Sequence, residues 1–208
     1  MTCRKTPGRS FQLVWCNREI FLAIRMVLRY DTIIFFGRDL MKRKINAFEY
    51  ANEILTAVGK GVLMTTKADG EVDTMTIGWG TMGIQWGKPI FIAYVRESRH
   101  TKKLVDQNPE FTINIPYGEF DKNILGFCGT KSGRDVDKIA QLGLHLEEGE
   151  CVSVPAIREL PLTLECKVIY QQDQIKEAIA PDALERYYPN GDFHTAYYGQ
   201  IVSAYIVE

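Results

Sequence analysis

Between Tyr94 and Thr101 the chain reads YVRESRHT, a cluster of small polar and cationic residues that ends an apolar run and stands where a helix can begin. Ser98 belongs to the residue types that cap helices, and a helix from Ser98 through about Asp106 leaves the first backbone N–H groups, those of Arg99, His100 and Thr101, without intrahelical acceptors. With Arg96 and Arg99 beside them, these amides suit an anion, and a phosphate is the natural guest. The octapeptide alone reads more readily as a capped surface helix carrying two solvated arginines. A second polar stretch, CGTKSGRD, places Thr130, Lys131 and Ser132 on a flexible cationic and hydroxyl-bearing loop that can close over an anion or serve as a solvated turn. It is not a nucleotide-binding P-loop: Thr130 rather than glycine precedes Lys131, and Leu125 stands five residues before Thr130.

The elements that must hold these residues are mostly strands. From Asn46, NAFEYANEILTAV has the spacing of an amphipathic helix, with Phe48, Ala51, Ile54, Leu55 and Val58 on its apolar side, Asn46 and Glu49 as a capping-box start, and Gly59 and Gly61 as its end. GVLMTTKA and VDTMTIGWG read as a hairpin turned at Asp69-Gly70. PIFIAYV follows as a strand whose unbroken apolar character implies burial on both faces. Asn108-Pro109 then breaks the chain before the strand FTINI. A short helix near FDKNILGF precedes the polar loop, and a helix over VDKIAQLG follows it with Asp135 as its cap. LTLECKVIYQQDQI and HTAYYGQIVSAYIV close the chain as long alternating strands. Six strands with short helices between them predict a mainly β domain, an antiparallel barrel or sandwich rather than a doubly wound α/β fold.

The chain has 208 residues, 46% of them apolar, and a net charge of −1, which is a globular composition with no electrostatic reason to seek nucleic acid or an anionic membrane. Its cysteines number five and include no close pair, which argues against a disulfide framework or a zinc site and suits a reducing cytoplasm. No metal site is expected. Residues 1–40 are apolar but carry Arg18, Glu19, Arg25, Arg29 and Asp31, too many charges for a spanning helix, and lack the pattern of a secretory signal. They read as a membrane-surface segment, a structured extension or upstream sequence translated from an early start, the last being favoured because patterned sequence begins just after Met41. Residues 41–208 are expected to form one domain.

Taken in order and spacing, DTMTIGW, YVRESRHT, FTINIP, GTKSGRDVDK and DFHTAYYGQIV resemble the flavin reductase-like family with the FMN-binding split barrel, and within it the flavoredoxin-type proteins. The resemblance spans roughly residues 45–207. It implies a six-stranded antiparallel split β-barrel, a homodimer, and FMN held non-covalently near the subunit interface. Carried over by position, it implies that Met75, Thr76, Ile77, Gly78 and Trp79 line the flavin ring and ribityl chain, and that Arg96, Ser98, Arg99 and Thr101 hold the phosphate. Thr130, Lys131, Ser132 and Lys138 match the loop and helix that approach from another side, and His194 matches a histidine before the last strand, a pocket candidate that reads equally as a strand-end residue satisfied by backbone. Asp73 stands where the family pattern commonly has Asn. The implied activity is hydride transfer from NAD(P)H to the flavin and onward to a small-molecule acceptor, with Trp79, Trp86 or Tyr198 stacking at the ring. The alternative is an FMN-containing electron carrier without NAD(P)H activity of its own. A relationship to pyridoxamine-phosphate oxidases is a third reading, which the phosphate segment fits less well. Cys128, beside the loop, reads as a packed hydrophobe or as a thiol with a role of its own.

Overall fold

The computed structural model describes residues 41–208, and the readings of residues 1–40 lie outside the described residues. A short strand β1 (Lys42–Lys44) leads to Asn46, whose Oδ1 accepts the Phe48 N–H at 3.1 Å and caps a 3-10 turn that runs into α1 (Ala51–Val58). Ala47, Ile54 and Val58 are buried, whereas Phe48 and Leu55, expected on the apolar side, are exposed. The 3-10 turn advances about 120° per residue instead of about 100°, so the stripe drawn for a continuous α-helix is rotated out of phase.

The six predicted strands all form. They are β2 (Val62–Ala68), β3 (Glu71–Ile77), β5 (Lys88–Arg96), β6 (Glu110–Ile115), β9 (Leu162–Asp173) and β10 (His194–Val207), and β4 (Gly80–Gln85) and the minor pair β7 (Leu146–Glu147) and β8 (Ala156–Ile157) complete the set. Asp69 and Gly70 turn the first hairpin with φ of 49° and 83°, both in the left-handed region, which matches the twist of the strands it joins. The main sheet is antiparallel throughout, in the order β3-β2-β6-β9-β10-β5-β4, with β1 added along β10. It therefore holds eight strands rather than six. The extra β4 arises because the run expected as a single strand from Val72 to Gly80 stops at Ile77, and the chain re-enters the sheet from Gly80.

The sheet curls round a core that includes Met64, Met75, Phe91, Val95, Phe111, Ile113, Leu164 and Tyr197. Strands β2 and β6 are buried on their other face as well. There Thr65 bridges Thr74 and the Asn114 side chain, each at 3.1 Å, and Asn114 donates to Thr163 at 3.2 Å, so the buried polar groups satisfy one another. Between the strands lie α2 (His100–Gln107), α3 (Lys122–Thr130), α4 (Lys138–Leu142) and α5 (Pro181–Tyr187). Asp137, not Asp135, caps α4 by accepting the Ala140 N–H at 2.9 Å. The reason is local: the Asp135 and Val136 amides both turn back to the Ser132 carbonyl, which delays the helix.

Candidate functional site

Strand β3 ends the sheet, so alternate backbone groups along it point away from β2 and stay available. Its residues Met75 to Ile77, with Gly78 and Trp79 beyond it, form one wall of a crevice of about 170 Å³. The opposite wall comes from Tyr94 and Arg96, which alternate onto one face of β5, with Arg99 and with His194 at the start of β10. A second crevice of about 290 Å³ shares Met75 and Arg99 with the first. Asp73, Ser98, His100, Thr101, the Thr130–Asp135 loop and Lys138 complete it. The first crevice sets aromatic and apolar side chains beside Arg96 and Arg99. The other holds four cationic side chains against two carboxylates, a surplus suited to a dianion.

The start of α2 differs from the sequence expectation in one respect. Ser98 does not cap it, because Asp192 takes both the Ser98 amide at 2.9 Å and its hydroxyl at 2.7 Å. Arg99 becomes the N-cap, and its N–H returns to the Arg96 carbonyl at 3.1 Å. The first helical amides are thus those of His100 and Thr101, one residue later than predicted. His100 is buried, its Nε2–H donates to Glu71 at 2.6 Å, and its Nδ1 is buried with no partner among the described residues.

The predicted anion-holding side chains divide into two groups. Arg99 reaches the Gly129 carbonyl at 3.2 Å with one nitrogen and keeps its other donors at the junction of the two crevices. Lys131 is exposed at the rim of the anion crevice. The remaining groups are committed elsewhere. Arg96 donates to the Asp192 carbonyl at 2.9 Å and to the Tyr187 carbonyl at 3.1 Å, which turns its guanidinium toward the loop before β10 and leaves it lining the first crevice rather than the second. Thr101 donates its hydroxyl to Asp73 at 2.8 Å, and Thr130 donates its own to the Gly126 carbonyl at 2.9 Å. Ser132 accepts the Arg134 N–H at 3.2 Å.

Lys138 is buried and bonded to Asp73 at 2.9 Å, so its charge is neutralised within the wall instead of being offered to a guest. This pairing explains the aspartate at position 73. A Cβ added to Gly133 would lie 2.5 Å from the Asp73 carboxylate, so the loop passes over the pair only as glycine. Cys128 lies beneath, fully buried, and burial pushes its thiol up to about 11. It is a packed hydrophobe with no reactive thiolate at neutral pH.

Trp79 is 38% exposed and stands 4.7 Å from the His194 ring, with Tyr187 edge-on at 5.2 Å. Trp86 and Tyr198, expected as stacking candidates, lie away from the crevice, where both meet Tyr170 in an outer aromatic strip. His194 is buried, and burial with Arg96 beside it lowers its pKa to about 4, so it is neutral at pH 7. Sequence reasoning missed Tyr94, Arg134, Asp192 and Tyr188. Tyr94 alone carried a usable signal, its alternation with Arg96 on β5. Across Thr76 from the first crevice lies a groove of about 530 Å³ lined by Lys60, Phe120, Lys122 and Leu125, which no local sequence pattern marks.

The family described as "Flavin reductase like domain" matches residues 57–208. An uncharacterized protein of Archaeoglobus fulgidus is 31% identical over 97 residues, 47% of this chain and 54% of its own length. The chain spans about half the length of the curated relatives it matches. Among solved structures, a flavoredoxin from Methanosarcina acetivorans is 26% identical with a TM-score of 0.55, covering 71% of this chain and 68% of its own. The NADH:FAD oxidoreductase SgcE6 of Streptomyces globisporus, 19% identical over 69% of this chain and 74% of its own, has a TM-score of 0.52 and shares the fold.

Proposed function

The chain belongs to the flavin reductase like domain family, and on that premise we propose that it is an FMN-binding oxidoreductase that takes hydride from NAD(P)H and passes electrons to a small-molecule acceptor. The observation that carries the reading is the meeting of the two crevices at Met75 and Arg99, a ring-sized slot joined to a cation-rich one. The residues fit the cofactor. Arg99 and Lys131, with the amides of His100 and Thr101, would hold the phosphate, while Met75, Thr76, Ile77, Gly78 and Trp79 would wall the ring.

The bound flavin supplies the hydride chemistry. The chain supplies anchorage and electrostatics. Arg96 pins the loop before β10 through two carbonyls and so fixes the far wall of the slot. Backbone N–H groups of the edge strand β3 that face away from β2 would serve as donors to charge on a reduced ring. Trp79 and Tyr94 flank the slot and would shield one side of a bound ring from water.

A homodimer belongs to the same proposal: Ile84 and Trp86 are 70% and 64% exposed on an aromatic strip that a second copy would cover. Light scattering on the eluting protein tests it, and a monomer at micromolar concentration refutes it. No helix among the described residues is long and apolar enough to cross a membrane, and the buried thiols of Cys128 and Cys166 support a cytoplasmic setting.

Anaerobic stopped-flow mixing of the FMN-loaded protein with NADH or NADPH tests the activity. Bleaching of the flavin band with either donor is expected. No bleaching with both, in a protein that still holds FMN, would assign it as an electron carrier, the reading to which the flavoredoxin likeness lends weight.

A further inference from the structure

The two ring nitrogens of His194 have unlike surroundings. Nδ1 lies 2.7 Å from the Tyr188 hydroxyl, which lies 2.7 Å from Gln174 Oε1, and the backbone N–H of His194 also donates to that Oε1 at 3.1 Å. A backbone N–H can only donate, so the Gln174 atom it meets must be the amide oxygen. That oxygen can only accept, so Tyr188 spends its single proton on Gln174. The Tyr188 oxygen is then the acceptor toward His194, and the proton between them belongs to Nδ1. The described bonds of the ring pass through Nδ1 alone, while His194 lines the crevice with Met75, Trp79, Tyr94, Arg96 and Arg99. Nε2 is left as a bare lone pair.

We propose that Tyr188 and Gln174 are positioning residues that lock His194 in the Nδ1–H tautomer and present Nε2 to the crevice as an acceptor for an N–H group of the bound ring. The inference rests on the reading of the crevice as a ring site, because it names what the acceptor is for. The surroundings keep the lone pair free. Burial and then Arg96 oppose protonation, with Arg99 adding to them, Asp192 in the loop before β10 favours it less than Arg96 opposes it, and Trp79 and Tyr188 enclose the ring with aromatic surface. A neutral imidazole with one fixed tautomer discriminates: it accepts from an imide or amide N–H and offers nothing to a carbonyl.

Long-range proton–nitrogen correlation spectra of protein labelled with nitrogen-15 histidine read the tautomer directly at pH 7, without any ligand. Wild type is expected to show His194 protonated at Nδ1. Gln174→Leu removes the acceptor that holds the Tyr188 proton, which then turns toward Nδ1 and moves most of the His194 population to Nε2–H. Gln174→Glu retains an acceptor and should keep the wild-type pattern, whereas Tyr188→Phe should give a mixture. A wild-type Nε2–H signal, or a Gln174→Leu spectrum unchanged from wild type, overturns the lock. Saturating FMN should then shift the Nε2 resonance of wild type. FMN that binds, by its quenched fluorescence, yet leaves Nε2 unmoved overturns the acceptor role. FMN that does not bind counts against the flavin reading, and the ligand-free spectra still decide the lock.

Discussion

Replacing Lys138 with methionine is the sharpest test of how the anion crevice is built. Lys138 Nζ and Asp73 Oδ1 are 2.9 Å apart, with 2% and 6% of their side chains exposed. At that separation the attraction is about 6 kcal/mol for an effective dielectric constant of about 20, and it is largely consumed by the cost of taking both charges out of water. The pair's net contribution is therefore small, but the cost of breaking it is not. Lys138→Met leaves the Asp73 carboxylate buried with the Thr101 hydroxyl as its remaining side-chain partner, and the expected loss is about 3 to 5 kcal/mol. For a domain of this size that lowers the melting temperature by about 6 to 20 °C. Asp73→Leu alone should cost a similar amount by stranding the lysine. The double variant Asp73→Leu/Lys138→Met should recover much of either loss, because no charge is left buried without a partner. Urea denaturation of the four proteins closes the cycle. If Lys138→Met costs less than about 1 kcal/mol, or the double variant costs the sum of the singles, the two groups are not a buried pair and the wall of the crevice is wrongly assigned.

Three further outcomes follow from the site. Gly133→Ala places a Cβ against the Asp73 carboxylate, which is held on both oxygens, and should destabilise the protein by about 1 to 3 kcal/mol in the same urea assay. His194 stays neutral in the fold down to about pH 4 but takes a proton near pH 6.5 when unfolded, so acid favours the unfolded state. Stability should fall by up to about 3 kcal/mol between pH 6.5 and 4, a loss absent above pH 6.5 and missing from His194→Asn when the two pH profiles are subtracted. Arg96→Ala should cost about 1 to 3 kcal/mol of stability by freeing the Asp192 and Tyr187 carbonyls, whereas Lys131→Ala, on an exposed rim, should leave stability within about 0.5 kcal/mol and weaken FMN in a salt-dependent way.

The strands were legible because their signals are local. Alternation in LTLECKVIYQQDQI and HTAYYGQIVSAYIV and the Asp69-Gly70 turn each specify geometry within a few residues, and all appear where expected. What was misread depends on partners far away in the chain. Ser98 looks like a cap until Asp192, 94 residues on, claims its hydroxyl and amide. Arg96 looks like a phosphate ligand until the same loop offers it two carbonyls. Lys138 looks available and Asp73 looks like a departure from pattern, and each is explained by the other. The residue types mark groups that seek negative charge, but which oxygen each one meets is set by tertiary contacts that spacing does not encode.

The central claim is that a phosphomonoester sits at the start of α2 while the ring it carries fills the slot beside Trp79. Parallel fluorescence titrations with FMN and riboflavin, which differ by the phosphate alone, measure this directly in wild type and Arg99→Ala. Charge-assisted contacts of about 1.5 to 3 kcal/mol predict FMN at least about tenfold tighter than riboflavin in wild type, with most of that preference lost in Arg99→Ala. Equal affinity for the two flavins in wild type, or a preference untouched by Arg99→Ala, would contradict it.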